Sequence, residues 1–274
     1  MEDIIIRGLL ADSTVKIMAI SGKALVEQAR ETHGLSRVCT AALGRTLMMT
    51  SMMGAQLKNA DERVTAMLKG GGEAGNIVCT ADWTGRVKGY VENPGLELPP
   101  APNGKLDVSA AVGTDGRLGV IRSYGTGEPY MGQVELVSGE IAEDITNYYA
   151  VSEQIPTVCA LGVLVDPNTN GVLLAGGLLI QVLPGALPQD IEKLEANIAK
   201  LEPVTTMLAK GMTVEQMVDT ALTGFEVEKL EEIPVHYACT CSREKYYNAL
   251  ATLEPDEIDT LPAVDGKVEA VCPY

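Results

Sequence analysis

Residues 62–92 read ERVTAMLKGGGEAGNIVCTADWTGRVKGYVE. The stretch contains three short runs of alternating or β-branched residues with glycine, asparagine or aspartate between them, which is typical of successive strands joined by turns. Similar runs recur at residues 4–6, 15–17, 118–121 and 158–165. Helical periodicity is found at 35–57 and 140–149. Because the strand runs follow one another with few helices between them, we predict an α+β fold in which residues 1–185 form a mixed, layered α/β domain.

The glycine-rich segment of this stretch, GGGEAG at 70–75, matches the GxGxxG pattern of dinucleotide-binding loops. In that motif a helix begins directly after the glycines, so that its first N–H groups and its dipole meet the pyrophosphate. Here residues 76–80, NIVCT, follow the glycines and favour a strand. We therefore interpret 70–75 as a loop between strands, with phosphate binding as the less favoured alternative.

The composition describes an acidic chain of 274 residues, with 21 Lys and Arg against 37 Asp and Glu and a formal charge of −16. An acidic surface repels nucleic-acid phosphates, and no basic patch is segregated along the sequence, so we expect no nucleic-acid partner. The N-terminal residues lack the pattern of a secretory signal. The longest nearly apolar run, 172–187, is interrupted by glycine, glutamine and proline. We therefore expect no membrane partner and a cytoplasmic location.

Several chemically distinctive residues in the first domain have structural interpretations. The four methionines in 48–53 suit core packing, with adaptable contact to hydrophobic partners as the alternative. His33 precedes Gly34 between two helical stretches, which indicates a helix C-terminus. Three cysteines stand singly in apolar surroundings and are interpreted as small buried hydrophobic residues: Cys39, Cys79 and Cys159.

Residues 186–232 differ in composition from the first domain, with ten acidic and four basic residues. Two amphipathic helices are predicted there, and both apolar stripes are narrow. The members of the stripes are Ile191, Leu194, Ile198 and Leu201, then Val214, Met217, Val218, Ala221 and Leu222. We predict an acidic helical linker. Two interpretations stay open at this point: helices packed stably on the first domain, or a metastable segment weakened by repulsion between like charges.

The segment 233–274 holds a second group of cysteines, Cys239, Cys241 and Cys272. Cys239 and Cys241 form a Cys-x-Cys pair, and thirty residues separate Cys241 from Cys272. Thiolates are the ligands that zinc takes at structural sites, and about forty residues are too few to fold stably on apolar burial alone. Ser242 is expected to cap a helix between the cysteines. The sequence therefore predicts a small metal or redox unit, with three incidental cysteines as the alternative.

Around these cysteines the chain resembles the heat-shock protein 33 family of redox-regulated bacterial chaperones. The resemblance rests on 234–244, PVHYACTCSRE, and on 268–272, VEAVC. It continues in the family's order through the rest of the chain, at 62–72 (ERVTAMLKGGG), 86–94 (RVKGYVENP), 104–108 (GKLDV), 132–141 (GQV, then SGEI) and 148–154 (YY, then SEQ).

The resemblance implies an ATP-independent holdase that binds unfolding proteins under oxidative stress and catalyses no reaction, so no catalytic residue is expected. It implies one zinc ion, held in the reduced and inactive state by a CxC and a CxxC, and two disulfides and a homodimer in the active state. By position, Cys239 and Cys241 are the first pair of ligands and redox cysteines, and Cys272 begins the second pair. The family's fourth cysteine falls just past Tyr274, so we expect an incomplete motif and weak or absent zinc.

A different class of function is also compatible with the cysteines. Cys239 and Cys241 are the residue types that a thiol–disulfide oxidoreductase or a zinc-dependent enzyme uses. Such an enzyme predicts catalytic turnover, whereas the holdase predicts stoichiometric suppression of aggregation. The sequence thus divides the chain into three predicted parts: a chaperone core domain (1–185), the acidic helical linker (186–232) and a zinc-binding redox-switch domain (233–274).

Overall fold

A computed structural model describes residues 2–10, 13–125, 127–261 and 269–274. The chain forms two compact units, 1–237 and 238–274. The larger unit contains two β-sheets with helices packed against them, which confirms the α+β class. Residues 186–237 belong to this larger unit; the three-part division made from the sequence stays a prediction.

The first sheet, sheet A, has five antiparallel strands in the order β10-β1-β2-β9-β8. Its strands are β1 (Ile4–Leu10), β2 (Val15–Ser21), β8 (Thr157–Val165), β9 (Val172–Val182) and β10 (Val227–Pro234). Apolar residues occupy both faces, because successive side chains of a strand point to opposite sides and both sides of this sheet are covered. Ile5, Met18 and Ile20 lie on one face, whereas Ile6 and Ile17 lie on the other.

The second sheet, sheet B, has six strands in the order β11-β5-β4-β3-β6-β7. Its strands are β3 (Glu62–Lys69), β4 (Ile77–Ala81), β5 (Arg86–Val91), β6 (Arg117–Tyr124), β7 (Tyr130–Glu135) and β11 (His236–Tyr237). The pairing is antiparallel except between β11 and β5. Residues 62–92 therefore form β3, β4 and β5 in succession, as predicted.

The glycine-rich segment 70–75 connects β3 to β4, which confirms the loop interpretation. It packs against the end of helix α3 (Val108–Val112), where the backbone N–H of Gly72 donates to the carbonyl of Val112 at 2.9 Å. A Cβ atom on Gly70 or Gly72 would overlap carbonyl oxygens of this helix. Glycine is therefore needed here because the loop backbone passes very close to the backbone at the end of α3.

Helix α2 (Arg37–Gly54) contacts strands of both sheets and forms the centre of the main core, whereas α1 (Lys23–His33) packs beside it. The Ser36 hydroxyl accepts a hydrogen bond from the Cys39 amide at 3.3 Å and begins α2 as an N-cap. All four methionines of 48–53 are at most 1% exposed, which confirms their role in core packing. His33 ends α1 before Gly34 in the left-handed region, as predicted.

Between β7 and β8 the chain forms α4 (Ala142–Tyr148), which continues into a π-helical turn, Tyr149–Glu153. The side chains of Tyr148 and Tyr149 are buried there, with their ring centroids 5.5 Å apart in an edge-on arrangement. π-helical turns are rare and occur often at functional sites.

Three helices of the acidic segment, α5 (Pro188–Ile198), α6 (Val204–Ala209) and α7 (Val214–Ala221), cover one face of sheet A. We call residues 188–221 the helical cover. Leu194 and all five members of the second predicted stripe are buried. The segment differs from a purely helical linker because it ends in strand β10, which pairs with β1 along its length.

The smaller unit, 238–274, contains α8 (Arg243–Leu250) and α9 (Pro255–Asp259). Ser242 caps α8 by accepting a hydrogen bond from the Lys245 amide at 3.2 Å, as predicted. No side chain of α8 is buried. The described part of this unit therefore has little apolar core of its own, and its fold depends on other links.

Candidate metal and redox site

The sulfur atoms of the three C-terminal cysteines converge in the smaller unit. The Sγ atoms of Cys239, Cys241 and Cys272 all lie within 4.8 Å of one another, and those of Cys239 and Cys272 are 3.6 Å apart. The structure thus brings together the three residues selected from the sequence, although thirty residues separate the second from the third. Cys239 is exposed and the other two are partly exposed, so that small oxidants have access to the group.

Local backbone and side-chain contacts hold the Cys-x-Cys pair in place. The amide of Cys241 donates to Cys239 Sγ at 3.4 Å, and Lys245 Nζ donates to the carbonyl of the intervening Thr240 at 2.7 Å. Helix α8 begins directly after the pair. The start of this helix and the Lys245 bond therefore fix the turn that carries the two cysteines.

Cys272 and Tyr246 interact across the site. Desolvation raises the pKa of the Cys272 thiol, but hydrogen bonds from its surroundings, including Tyr246, outweigh that effect, and its pKa is lowered overall. The same hydrogen bond to Cys272 raises the pKa of Tyr246 to about 12. Tyr246 therefore stays protonated at neutral pH and can donate to a thiolate on Cys272.

The three cysteines of the larger unit have the opposite character. Cys39 and Cys79 are buried and Cys159 is partly buried, close to the sequence-based expectation. Burial raises the pKa of all three thiols, to about 12 for Cys159. Because the thiolate is the reactive form, these cysteines are poor nucleophiles at neutral pH. Reactive sulfur is thus concentrated in the C-terminal group.

The sulfur geometry fits a zinc ion. With a Zn–S bond of about 2.3 Å, two sulfurs of a tetrahedral site lie about 3.8 Å apart. The 3.6 Å separation of Cys239 and Cys272 and the 4.8 Å limit for the whole group are close to that spacing. The three cysteines can therefore supply three of the four ligands of a tetrahedral metal.

A second functional feature, the anchor of the chain just before the cysteines, was missed by sequence reasoning. The Tyr237 hydroxyl donates to the Gly89 carbonyl at 2.8 Å and lies 2.7 Å from His33 Nε2, and the tyrosine is buried. Strand β11 adds backbone pairing with β5. These contacts join residues about 150 and 200 positions apart in the sequence, so no local pattern indicates them.

The third feature is the apolar face beneath the helical cover. Side chains from three strands of sheet A are buried against it: Ile6, Ile17, Ala19, Leu178 and Ile180. In α7, Met217 and Val218 pack into the same cluster. Removal of the cover would expose a continuous apolar surface, and large exposed apolar surfaces mark interaction sites. In the described part of the chain, no helix has the length and apolar composition needed to cross a membrane.

Comparison with known proteins identifies the family of the chain. A family model described as Hsp33 protein matches residues 3–274. The 33 kDa chaperonins of Clostridioides difficile and Acetivibrio thermocellus are 43% and 42% identical over 274 residues, which is all of this chain and 94% and 92% of those proteins. The crystal structure of the 33 kDa chaperonin (heat shock protein 33 homolog) from Thermotoga maritima aligns with a TM-score of 0.84 at 35% identity, over 95% of this chain and 88% of the other. The chain belongs to the Hsp33 family.

Proposed function

We propose that the chain is a redox-regulated, ATP-independent chaperone that holds unfolding proteins and prevents their aggregation under oxidative stress. The observation that carries the proposal is the convergence of Cys239, Cys241 and Cys272 within 4.8 Å in a unit with little apolar core. Because these thiols hold the small unit together, their oxidation or their binding of a metal changes the folding of that unit. The chain catalyses no reaction in this account.

In the reduced, inactive state Cys239, Cys241 and Cys272 would hold zinc. Bound there, zinc would link the polypeptide segments of the small unit and keep the sulfurs as thiolates, more weakly than it would with four cysteine ligands. Ser242 and Lys245 orient the Cys-x-Cys turn for this role through the cap of α8 and the bond to the Thr240 carbonyl. Tyr246 contributes a hydrogen bond to Cys272.

Oxidation by a peroxide removes this link. Two thiolates, one hydrogen peroxide molecule and two protons give one disulfide and two water molecules, so that the pair is oxidised and the peroxide is reduced. By the family resemblance the first pair is Cys239 and Cys241. A disulfide sulfur is a poor metal ligand, so the oxidised pair could no longer contribute to a link through a metal.

Loss of the small unit's fold is then transmitted to the helical cover through β10 and β11. The segment 186–232 carries ten acidic and four basic residues, and self-repulsion disfavours its compact state. Departure of the cover exposes Ile17, Leu178 and Ile180 on sheet A, together with the apolar side chains of the cover itself. Unfolded clients bind this surface, and two copies associate into the active homodimer. The work is done in the cytoplasm, where reducing conditions keep the switch off.

Light scattering tests the proposal. A model client is heated with the reduced chain or with the chain treated with hydrogen peroxide. Stoichiometric suppression of aggregation after oxidation alone is expected for the parent chain. Cys239→Ser removes one metal ligand, so the dependence on oxidation should be lost and the reduced variant should already suppress aggregation. Cys39→Ser is the matched control, because Cys39 is a buried thiol whose bond to the Asn93 carbonyl a serine can keep. Equal inactivity of both redox states contradicts the proposal, whereas catalytic turnover of a disulfide substrate would favour the oxidoreductase alternative.

A further inference from the structure

A cavity of ≈360 Å³ lies in the larger unit, away from the cysteines, where the end of α2 meets β6 and the π-helical turn. Its apolar wall consists of Met53, Leu57 and Ile155, and its polar side includes Gln56, Arg122 and Tyr149. This volume and this mixture of an apolar wall with a few polar groups are typical of sites for small organic molecules.

The carboxylates beside the cavity are already occupied by protein donors. Glu62 accepts hydrogen bonds from the Lys58 amide at 2.8 Å and from the Asn59 side chain at 2.6 Å. Glu153 is paired with Arg122 at 2.7 Å and accepts from the Tyr148 hydroxyl. Both carboxylates are already bound by protein donors, so the cavity is not favoured as a cation site.

Positive charge, in contrast, is left over behind the polar wall. Lys16 Nζ donates to Gln56 Oε1 at 2.7 Å, and the Gln56 amide in turn donates to the Tyr149 hydroxyl at 3.4 Å. Among the described residues Lys16 forms no ion pair, whereas Arg122 has its carboxylate partner. Burial, with repulsion from Arg7 and Arg122, lowers the pKa of Lys16 to about 8. The ammonium therefore lacks a counter-charge.

Two buried polar atoms near Lys16 also lack partners among the described residues. Gln181 pairs with Lys16 across β2 and β9, is 1% exposed, and its Oε1 has no hydrogen-bond partner. Arg7 Nε on β1 is likewise buried without a partner. Unsatisfied groups of this kind are rare in folded proteins. Neither residue lines the cavity, and Gln181 Oε1 is an acceptor that calls for a donor such as ordered water, so the anion site rests on the cavity and the Lys16 charge alone.

We propose that this cavity is a binding site for a small organic monoanion, a carboxylate with an apolar body. The carboxylate lies beside Arg122 and accepts from the Tyr149 hydroxyl, with the Lys16 charge behind Gln56, and the apolar body contacts Met53, Leu57 and Ile155. A single uncompensated ammonium is matched by one negative charge, which favours a carboxylate over a phosphate dianion. Burial of an apolar ligand body against the apolar wall adds affinity that a bare anion cannot gain.

NMR titration of the full chain tests this site with benzoate, its neutral analogue benzamide and inorganic phosphate as probes. Benzoate is expected to give saturable shifts at the Gln56 side-chain amide and the Tyr149 backbone amide, with benzamide and phosphate binding at least about tenfold more weakly. Lys16→Met, which keeps the apolar stem and removes the charge, should weaken benzoate by a similar factor. Lys105→Met, at an exposed lysine outside the cavity, should leave the affinity unchanged.

Three results would overturn the proposal. The first is the absence of saturable benzoate shifts at Gln56 and Tyr149. The second is equal affinity for benzoate and benzamide, or for benzoate and phosphate, because the site would then not select a carboxylate with an apolar body. The third is unchanged benzoate affinity in a folded Lys16→Met variant, with folding checked by the chemical shifts of sheet B.

Discussion

Met217 on α7 allows the helical cover to be weakened without touching a cysteine. Its side chain is 0% exposed and lies in the cluster between the cover and sheet A. Truncation of a buried methionine to alanine costs about 3 kcal/mol, because apolar contacts are lost and a cavity remains. Since every 1.4 kcal/mol changes an equilibrium tenfold, Met217→Ala should raise the population with the cover displaced by about 100-fold.

The assay is suppression of client aggregation by the reduced, zinc-loaded chain. Reduced Met217→Ala should suppress light scattering, whereas the reduced parent chain should not. Two variants separate loss of the cover from general effects. Met131→Ala changes a methionine on β7 that is 55% exposed and should stay inactive. Val120→Ala creates a cavity beneath β6 in the main core, which is separate from the cluster under the helical cover, and should lower stability without activating the chain.

One result would refute the reasoning. If hydrogen exchange shows that the amides of α7 open more often in reduced Met217→Ala while client aggregation is still not suppressed, then uncovering sheet A is insufficient for client binding. Activation by Val120→Ala to the same extent would contradict it as well, because activity would then follow general instability rather than loss of the cover.

Three further predictions concern stability and the anchor of the switch. The pKa of Lys16 in the folded chain is about 8, below its ordinary 10.5, so the protonated lysine opposes folding. Lys16→Met should therefore be up to about 3 kcal/mol more stable than the parent chain in urea unfolding at pH 7, and this advantage should shrink as the pH rises from about 8 to 10.5. A stability difference that does not change with pH would contradict this. Tyr237→Phe removes the hydroxyl bonded to His33 and should cost about 1–3 kcal/mol, with faster amide exchange at Tyr237; unchanged exchange would argue against the anchor. Gly85→Ala places a Cβ against the Pro234 carbonyl oxygen at a residue with positive φ, and it should lower the free energy of unfolding by about 2 kcal/mol or more. An unaltered Tm would show that the backbone at Gly85 and Pro234 moves apart easily.

Much of the fold follows from local sequence patterns. The strands of residues 62–92 and helix α2 have a clear apolar period, so their approximate positions could be predicted, although α2 begins at Arg37 and ends at Gly54, inside the predicted 35–57. The three C-terminal cysteines could be selected because a Cys-x-Cys pair followed by a further cysteine is typical of metal ligands. For the strands and the helix, the determining interactions lie within a few neighbouring residues, whereas Cys272 lies thirty residues beyond the Cys-x-Cys pair.

Long-range pairing explains what the sequence did not reveal. Half of the residues of strand β10, VEKLEEIP, are charged, and the strand lies at the edge of sheet A, so its composition favours a solvated linker; only pairing with β1, more than 200 residues away, makes it a strand. The Tyr237 anchor depends on His33, 204 residues distant. The cavity beside Lys16 likewise requires α2, β6 and the π-helical turn to meet, and no segment alone indicates it.

The central claim is that oxidation of the C-terminal cysteines displaces the helical cover from sheet A. Amide hydrogen exchange of the full chain, reduced with zinc and then oxidised with peroxide, measures this directly. The account predicts that amides in α5, α6 and α7 lose protection on oxidation, whereas those of β3, β4 and β6 keep it. Full protection of Val214–Ala221 in an oxidised chain that binds clients would contradict the claim.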